Sequence, residues 1–296
     1  MSALTASTAG GARARAGGPA VRRGPTFPRV VASEWTKLTS LRSTTVIAAA
    51  TVVVSWALTY LAANASSVDP GFVPLDSLTA GLLLAQVGPL VLGILAGTGE
   101  FTTGTFRSTF TAVPRRLPVL AAQVVVVGAW GLLVAAAAVG AAVVALVPAA
   151  SSRGISLDLT GAGTPQVLAG MATFLVAMAL LGLAVGALLR SPVPAVAVTV
   201  VLVLVLPVVL SLGSELATDP MSAPTDGSVS SQQSAVNTVV TVLPGGAAEV
   251  LVRGPGSSGI EGAPDLGPWG GALVLACWVL VPLAVAAVRL RARDVV

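Results

Sequence analysis

Glu100, Arg107, Arg115 and Arg116 fall within one polar stretch, residues 99–117, which reads GEFTTGTFRSTFTAVPRRL. Three of the chain's six Phe residues lie there too. Carboxylate, guanidinium and aromatic side chains in one short connection suit docking of another protein, since they offer charge pairing and apolar anchors together. Covalent chemistry is harder to assemble. The chain has no His and a single Cys, Cys277, inside an apolar run where packing is its expected role. No Cys–His nucleophile, zinc site or disulfide framework can be built from that, so no catalytic, cofactor-binding or metal-binding residue is expected.

A P-loop needs a Gly-rich turn ending in Lys-Ser or Lys-Thr. The only lysine, Lys37, is followed by Leu38, so ATP is not bound by that route. Ion-coupled transporters place ionisable groups at membrane depth, and no apolar run of this chain contains Asp, Glu, Lys or Arg. Gln86 and Gln123 are the strongest polar side chains within those runs. Either interhelical hydrogen bonding or a substrate path is open to them, the first being the commoner role. Energy for uphill movement would have to come from another polypeptide.

The elements that position these residues are membrane spans. Charged residues make up 9% of the 296 residues and hydrophobic ones 55%, with a mean hydropathy of +0.92. A soluble domain carries roughly 25% charged residues. Six apolar runs, about 44–63, 78–97, 117–147, 167–189, 193–212 and 270–288, each approach the ~20 residues that a spanning helix needs. The third would be roughly 46 Å long against a hydrocarbon core of about 30 Å, so it must tilt or project. It has no polar turn signal at Gly128 or Gly140 that would split it. Pro89, Pro194, Pro207 and Pro282 are candidate kinks. Gly93-x-x-x-Gly97 and Gly182-x-x-x-Gly186 permit close helix packing, for which contacts within the chain are a sufficient explanation.

With six spans and the amino terminus inside, 14 of the 16 basic residues fall on the cytoplasmic side, leaving Arg153 and Arg253 outside. Of the 12 acidic residues only Glu34, Glu100 and Asp294 are inside. The positive-inside rule therefore expects both termini in the cytoplasm. Residues 1–29 read as a disordered basic tail, better suited to anionic lipid than to nucleic acid, and without the apolar core of a signal peptide. Residues 30–296 form the six-span domain.

Ahead of the first span, Val31, Trp35 and Leu38 recur at helical spacing, with Glu34 and Lys37 as i,i+3 neighbours on another face. That is either a helix lying in the interface or a plain juxtamembrane anchor. In the large outer connection 213–269, segments 235–243 and 247–252 flank Pro244-Gly245-Gly246. They read equally as half-helices dipping into the outer leaflet or as a small hairpin outside it. On a helix over 99–113, Glu100, Gly104, Arg107 and Thr111 share one face, and Phe106, Phe110 and Val113 another, before Pro114 ends it. Docking and simple interface binding both fit that pattern.

Two stretches resemble a known family. Glu34-Trp35-Thr36-Lys37-Leu38 with Leu41-Arg42-Ser43-Thr44 is similar to the segment leading into the first span of bacterial ABC-2 type transporter permeases. Glu100-Phe101, Gly104-Thr105-Phe106-Arg107-Ser108-Thr109 and Val113-Pro114-Arg115-Arg116 resemble the connection between their second and third spans. The resemblance implies an all-α integral membrane protein of the bacterial plasma membrane, the non-enzymatic permease subunit of an ATP-driven exporter. It implies a separate ATPase subunit and a second permease copy as partners, with membrane lipid around them and no nucleic acid. By position, Glu100, Phe101, Gly104, Phe106 and Arg107 match the ATPase-coupling motif, and Glu34, Trp35, Lys37 and Arg42 the interfacial helix. The Pro-Gly-Gly break fits the family's outer re-entrant helices. Gln123 stands where a basic anchor would be expected after Pro114-Arg115-Arg116. The alternative is an anchor or sensor subunit that recruits a cytoplasmic protein without transport. An intramembrane enzyme is opposed by the missing His and the missing span charges.

Overall fold

The computed structural model describes residues 26–102, 116–161, 163–217, 230–254 and 259–292. Among them no strand occurs, and the helices run α1 Phe27–Ser40, α2 Arg42–Ser66, α3 Leu82–Ala85, α4 Val87–Thr102, α5 Arg116–Ser152, α6 Thr164–Leu189, α7 Pro192–Val200, α8 Leu206–Ala217, α9 Ser231–Val242, α10 Pro244–Leu251 and α11 Gly267–Ala292. Among the described residues six stretches are long and apolar enough to cross a membrane: Arg42–Ser66, Pro74–Gly99, Leu117–Ser152, Thr164–Leu189, Pro192–Gly213 and Gly267–Arg291. This is the build of a multi-pass membrane protein, and the six stretches coincide with the six apolar runs.

Helix α2 shows the inverted polarity that lipid selects. Its buried positions are Thr44, Thr51, Ser55, Thr59 and Ala63, whereas Val46, Val53, Trp56 and Leu61 are exposed. Lipid tails are as apolar as Leu, so burying Leu against protein gains little there, and small hydroxyl residues serve the interior by letting backbones approach. The Ser55 hydroxyl donates to the Ala138 carbonyl of α5 at 3.0 Å. A Cβ added to Gly81 would stand 2.7 Å from the Ser55 carbonyl oxygen.

Helix α6 is the centre, buried from Gly170 through Ala187 on most of its positions. Its neighbour α4 lies parallel to it along Gly93, Gly97, Gly182 and Gly186. A Cβ on Gly93 would overlap the Ala179 carbonyl oxygen, and one on Gly182 would overlap that of Leu90. The two small-residue motifs therefore pack against one another, within the chain.

The second span is not one straight helix. It opens with a 3-10 turn, Pro74–Ser77, continues as the single turn α3, breaks at Gln86 and resumes as α4. Pro89 is the cause, since it offers no N–H to the Ala85 carbonyl four residues back. In the fifth, a π turn at Val201–Val205 joins α7 to α8; Pro207 likewise withholds a donor from Val203, and the widened turn absorbs the defect. The third run is a single 37-residue helix, with Pro148 tolerated near its end.

The chain alternates between two ends. The basal end carries α1, the start of α5 and the close of α6 and α11, sealed by Leu120, Ala187, Ala286 and Leu290 and by a bond from Arg289 Nη1 to the Leu188 carbonyl at 2.9 Å. The distal end carries the turn after α2, where Arg153 Nη1 reaches the Ser67 carbonyl at 2.8 Å. Asp158 caps a turn there by accepting from the Thr160 hydroxyl and N–H, both at 3.0 Å, which hold its carboxyl below the usual value.

Helices α9 and α10 form one element bent by 81°. Trp278 Nε1 of α11 donates to the Val242 carbonyl at the bend, at 2.8 Å. Trp278 lies eleven residues into α11, roughly 16 Å from its distal start at 1.5 Å per residue. Gly245 faces the Val203 carbonyl oxygen in the π turn, with 3.7 Å to an added Cβ. From there α10 climbs back, its end at Leu251 pressing on Gly170. The bend thus sits at the middle of two neighbouring spans.

Candidate functional site

The first of the two family-like stretches lies in α1 and the start of α2; the second is described only at Glu100–Thr102 and from Arg116 onward. Helix α1 opens with Pro28 in its first turn, where the missing N–H is no loss. It takes in Phe27, Pro28 and Arg29, which the sequence reading assigned to the tail, and it stops at Ser40 because Leu41 is extended (φ −84°, ψ 123°). Arg42 then begins α2 and is exposed.

The buried face of α1 is Val30, Glu34 and Leu38. Val30 packs on Val119 and Ala122 of α5. Leu38 joins Leu92 and Ala96 of α4 and Val126 and Val127 of α5. Trp35 meets Trp130 of α5 edge to face, with ring centroids 5.9 Å apart. So α1 packs chiefly on α5, the helix that follows the 103–115 connection, and shares an apolar cluster with α4.

One expectation is corrected here. Glu34 does not point away from the apolar face; it is 7% exposed and lies on the buried stripe. The half-exposed Lys37 one turn on reaches back to its carboxylate as an ion pair. A buried carboxylate needs such a partner, because leaving it alone costs several kcal/mol in desolvation. The pair lets the helix keep a charge against α5.

Of the coupling positions, Glu100 and Phe101 lie in the last turn of α4, which runs to Thr102. Gly104, Phe106 and Arg107 lie outside the described residues, as does most of the helix expected over 99–113. Gln86, 2% exposed, donates from Nε2 to the Leu83 carbonyl at 2.8 Å, within its own segment. Its Oε1 has no partner among the described residues. Gln123 is half-buried near the basal start of α5. Gln86 lies midway along the Pro74–Gly99 span and Gln123 two turns into α5, and no hydrogen bond joins them among the described residues.

Three charged residues to which the sequence assigns no site role lie at the distal end. Asp76, Glu249 and Arg253 line one cavity of about 630 Å³. A signal was present: Arg253 is one of only two basic residues outside the basal count.

No protein-family model matches the chain, and no curated protein matches it either.

Proposed function

We propose that the chain is the membrane-spanning permease subunit of an ATP-driven exporter of the ABC-2 type, in a bacterial plasma membrane. The reading rests on the resemblance of residues 34–44 and 100–116 to that family, together with the packing of α1 along α5, the helix that the 99–116 connection leads into. Helix α1 packs on α5 through Val30 with Val119 and Ala122 and through Trp35 with Trp130. A separate ATPase docks on the 99–116 connection, with Glu100, Phe101, Gly104, Phe106 and Arg107 as its contact residues. Helix α1, with Glu34, Trp35, Lys37 and Arg42, lies beside that seat and moves with it.

The basal end is then cytoplasmic, as the arginine distribution favours. The bent pair α9–α10 dips into the outer leaflet and returns, which the depth of Trp278 and Val203 supports. Irregular backbone at such depth is tolerated where protein covers it, and Pro244, Gly246, Ala247 and Ala248 are buried. A second copy completes the translocation path. ATP-driven closure of the paired ATPases pushes on the connection and rocks the two permeases.

The test is co-purification with the P-loop ATPase encoded by a neighbouring reading frame. A stable complex that Gly104→Trp disrupts supports the reading. A complex with some other cytoplasmic protein, and none with an ATPase, favours the anchor or sensor role.

A further inference from the structure

The distal cavity is built by three separate elements. The 3-10 turn Pro74–Ser77 contributes Asp76, the first turn of α6 contributes Val167, and α10 with the residue pair after it contributes Glu249 and Arg253. Its volume of about 630 Å³ falls in the range of small-molecule sites, roughly 300–1,000 Å³. Leu75, Val167 and Ile260 supply apolar wall. Asp76, Glu249 and Arg253 supply charge, and none of the three is ion-paired among the described residues.

Charges of opposite sign around one cavity that do not neutralise each other leave a field for a ligand to answer. The balance of that field is negative. Two carboxylates and one guanidinium line the cavity. By sequence, the distal connections hold nine of the 12 acidic residues and two of the 16 basic ones. Both carboxylates are exposed and the guanidinium is half-buried, and a cleft lined with an excess of one sign of charge concentrates counter-ions. Arginine on one wall confines the positive group to the carboxylate side, while the apolar wall takes hydrocarbon.

We propose that this cavity binds a lipophilic organic cation, with Asp76 and Glu249 facing its positive centre. Binding of this kind needs no ATPase and no transport, so it stands or falls apart from the function proposed above.

The test uses the full chain in nanodiscs of neutral lipid and two probes of nearly equal shape, tetraphenylphosphonium and tetraphenylborate. Equilibrium dialysis against empty nanodiscs removes partition into lipid. The cation is expected to bind at least tenfold more tightly than the anion. Asp76→Asn with Glu249→Gln is expected to weaken the cation about tenfold, and Arg253→Gln to strengthen it about threefold. Helicity and melting temperature by circular dichroism report the fold of each variant. Equal or tighter binding of the anion by the unaltered chain overturns the proposal without any variant. Unchanged cation affinity in a folded Asp76→Asn, Glu249→Gln protein overturns it as well.

Discussion

Gly93 on α4 and Gly182 on α6 are notches for each other's helices: a Cβ on the first would overlap the Ala179 carbonyl oxygen, and on the second that of Leu90. Backbone contact of this kind replaces the hydrophobic drive that helices lack in lipid. Gly93→Leu must push the two helices apart, and the expected loss is about 1–3 kcal/mol. Gly140, with nothing within 4 Å of an added Cβ, is the control. Gly140→Ala should be neutral, or stabilising by up to about 1 kcal/mol from helix propensity. Thermal unfolding in detergent separates the two; equal behaviour would contradict the packing.

The bond from Trp278 to the Val242 carbonyl holds the bend between α9 and α10. Trp278→Phe keeps the ring mass and removes the donor, at a net cost of about 1 kcal/mol. Hydrogen exchange over 231–251 should then speed up roughly fivefold, as that energy implies, while α4 and α6 stay protected. Uniform acceleration would mean that the bond supports the whole fold and not the bend.

Glu34 is buried and its partner Lys37 is half-exposed, so the two substitutions are not equivalent. Lys37→Ala strands a buried carboxylate and should destabilise α1 more than Glu34→Gln does. Adding Glu34→Gln to Lys37→Ala should restore part of the loss. Cleavage in α1 under limited proteolysis reads the order. A double variant no better than Lys37→Ala would contradict the role given to the pair.

Sidedness is tested with single cysteines in a Cys277→Ala background, since Cys277 is exposed. An impermeant thiol reagent applied to intact cells should label Ser228→Cys. It should label Ser108→Cys only after permeabilisation. Labelling at position 108 from outside would invert the topology.

Much of this architecture could be read directly from the amino acids, and the limits have physical causes. The six spans follow from uninterrupted apolar runs, and the break at Gln86 and the π turn at Val201–Val205 follow from Pro89 and Pro207. That the two glycine motifs pack on each other was not legible, because spacing shows that a helix can be approached closely but not by which neighbour. Glu34 was misplaced for a related reason. The stripes Val30, Glu34, Leu38 and Val31, Trp35, Leu38 differ by one residue in phase, and only the position of α5 decides which is covered. The bend of α9–α10 was visible in Pro244-Gly245-Gly246, but its depth depends on Trp278 and Val203, neither of which is near it in sequence.

ATP turnover by the purified complex tests docking on the 99–116 connection most directly. With the neighbouring ATPase reconstituted beside this chain in proteoliposomes, turnover should exceed that of the ATPase alone. Glu100→Ala should lower that stimulation about tenfold or more, and Gly104→Trp should abolish it, with the amount of folded permease unchanged. Full stimulation in both variants, with assembly intact, would contradict the docking role and with it the reading of the chain as a coupled permease.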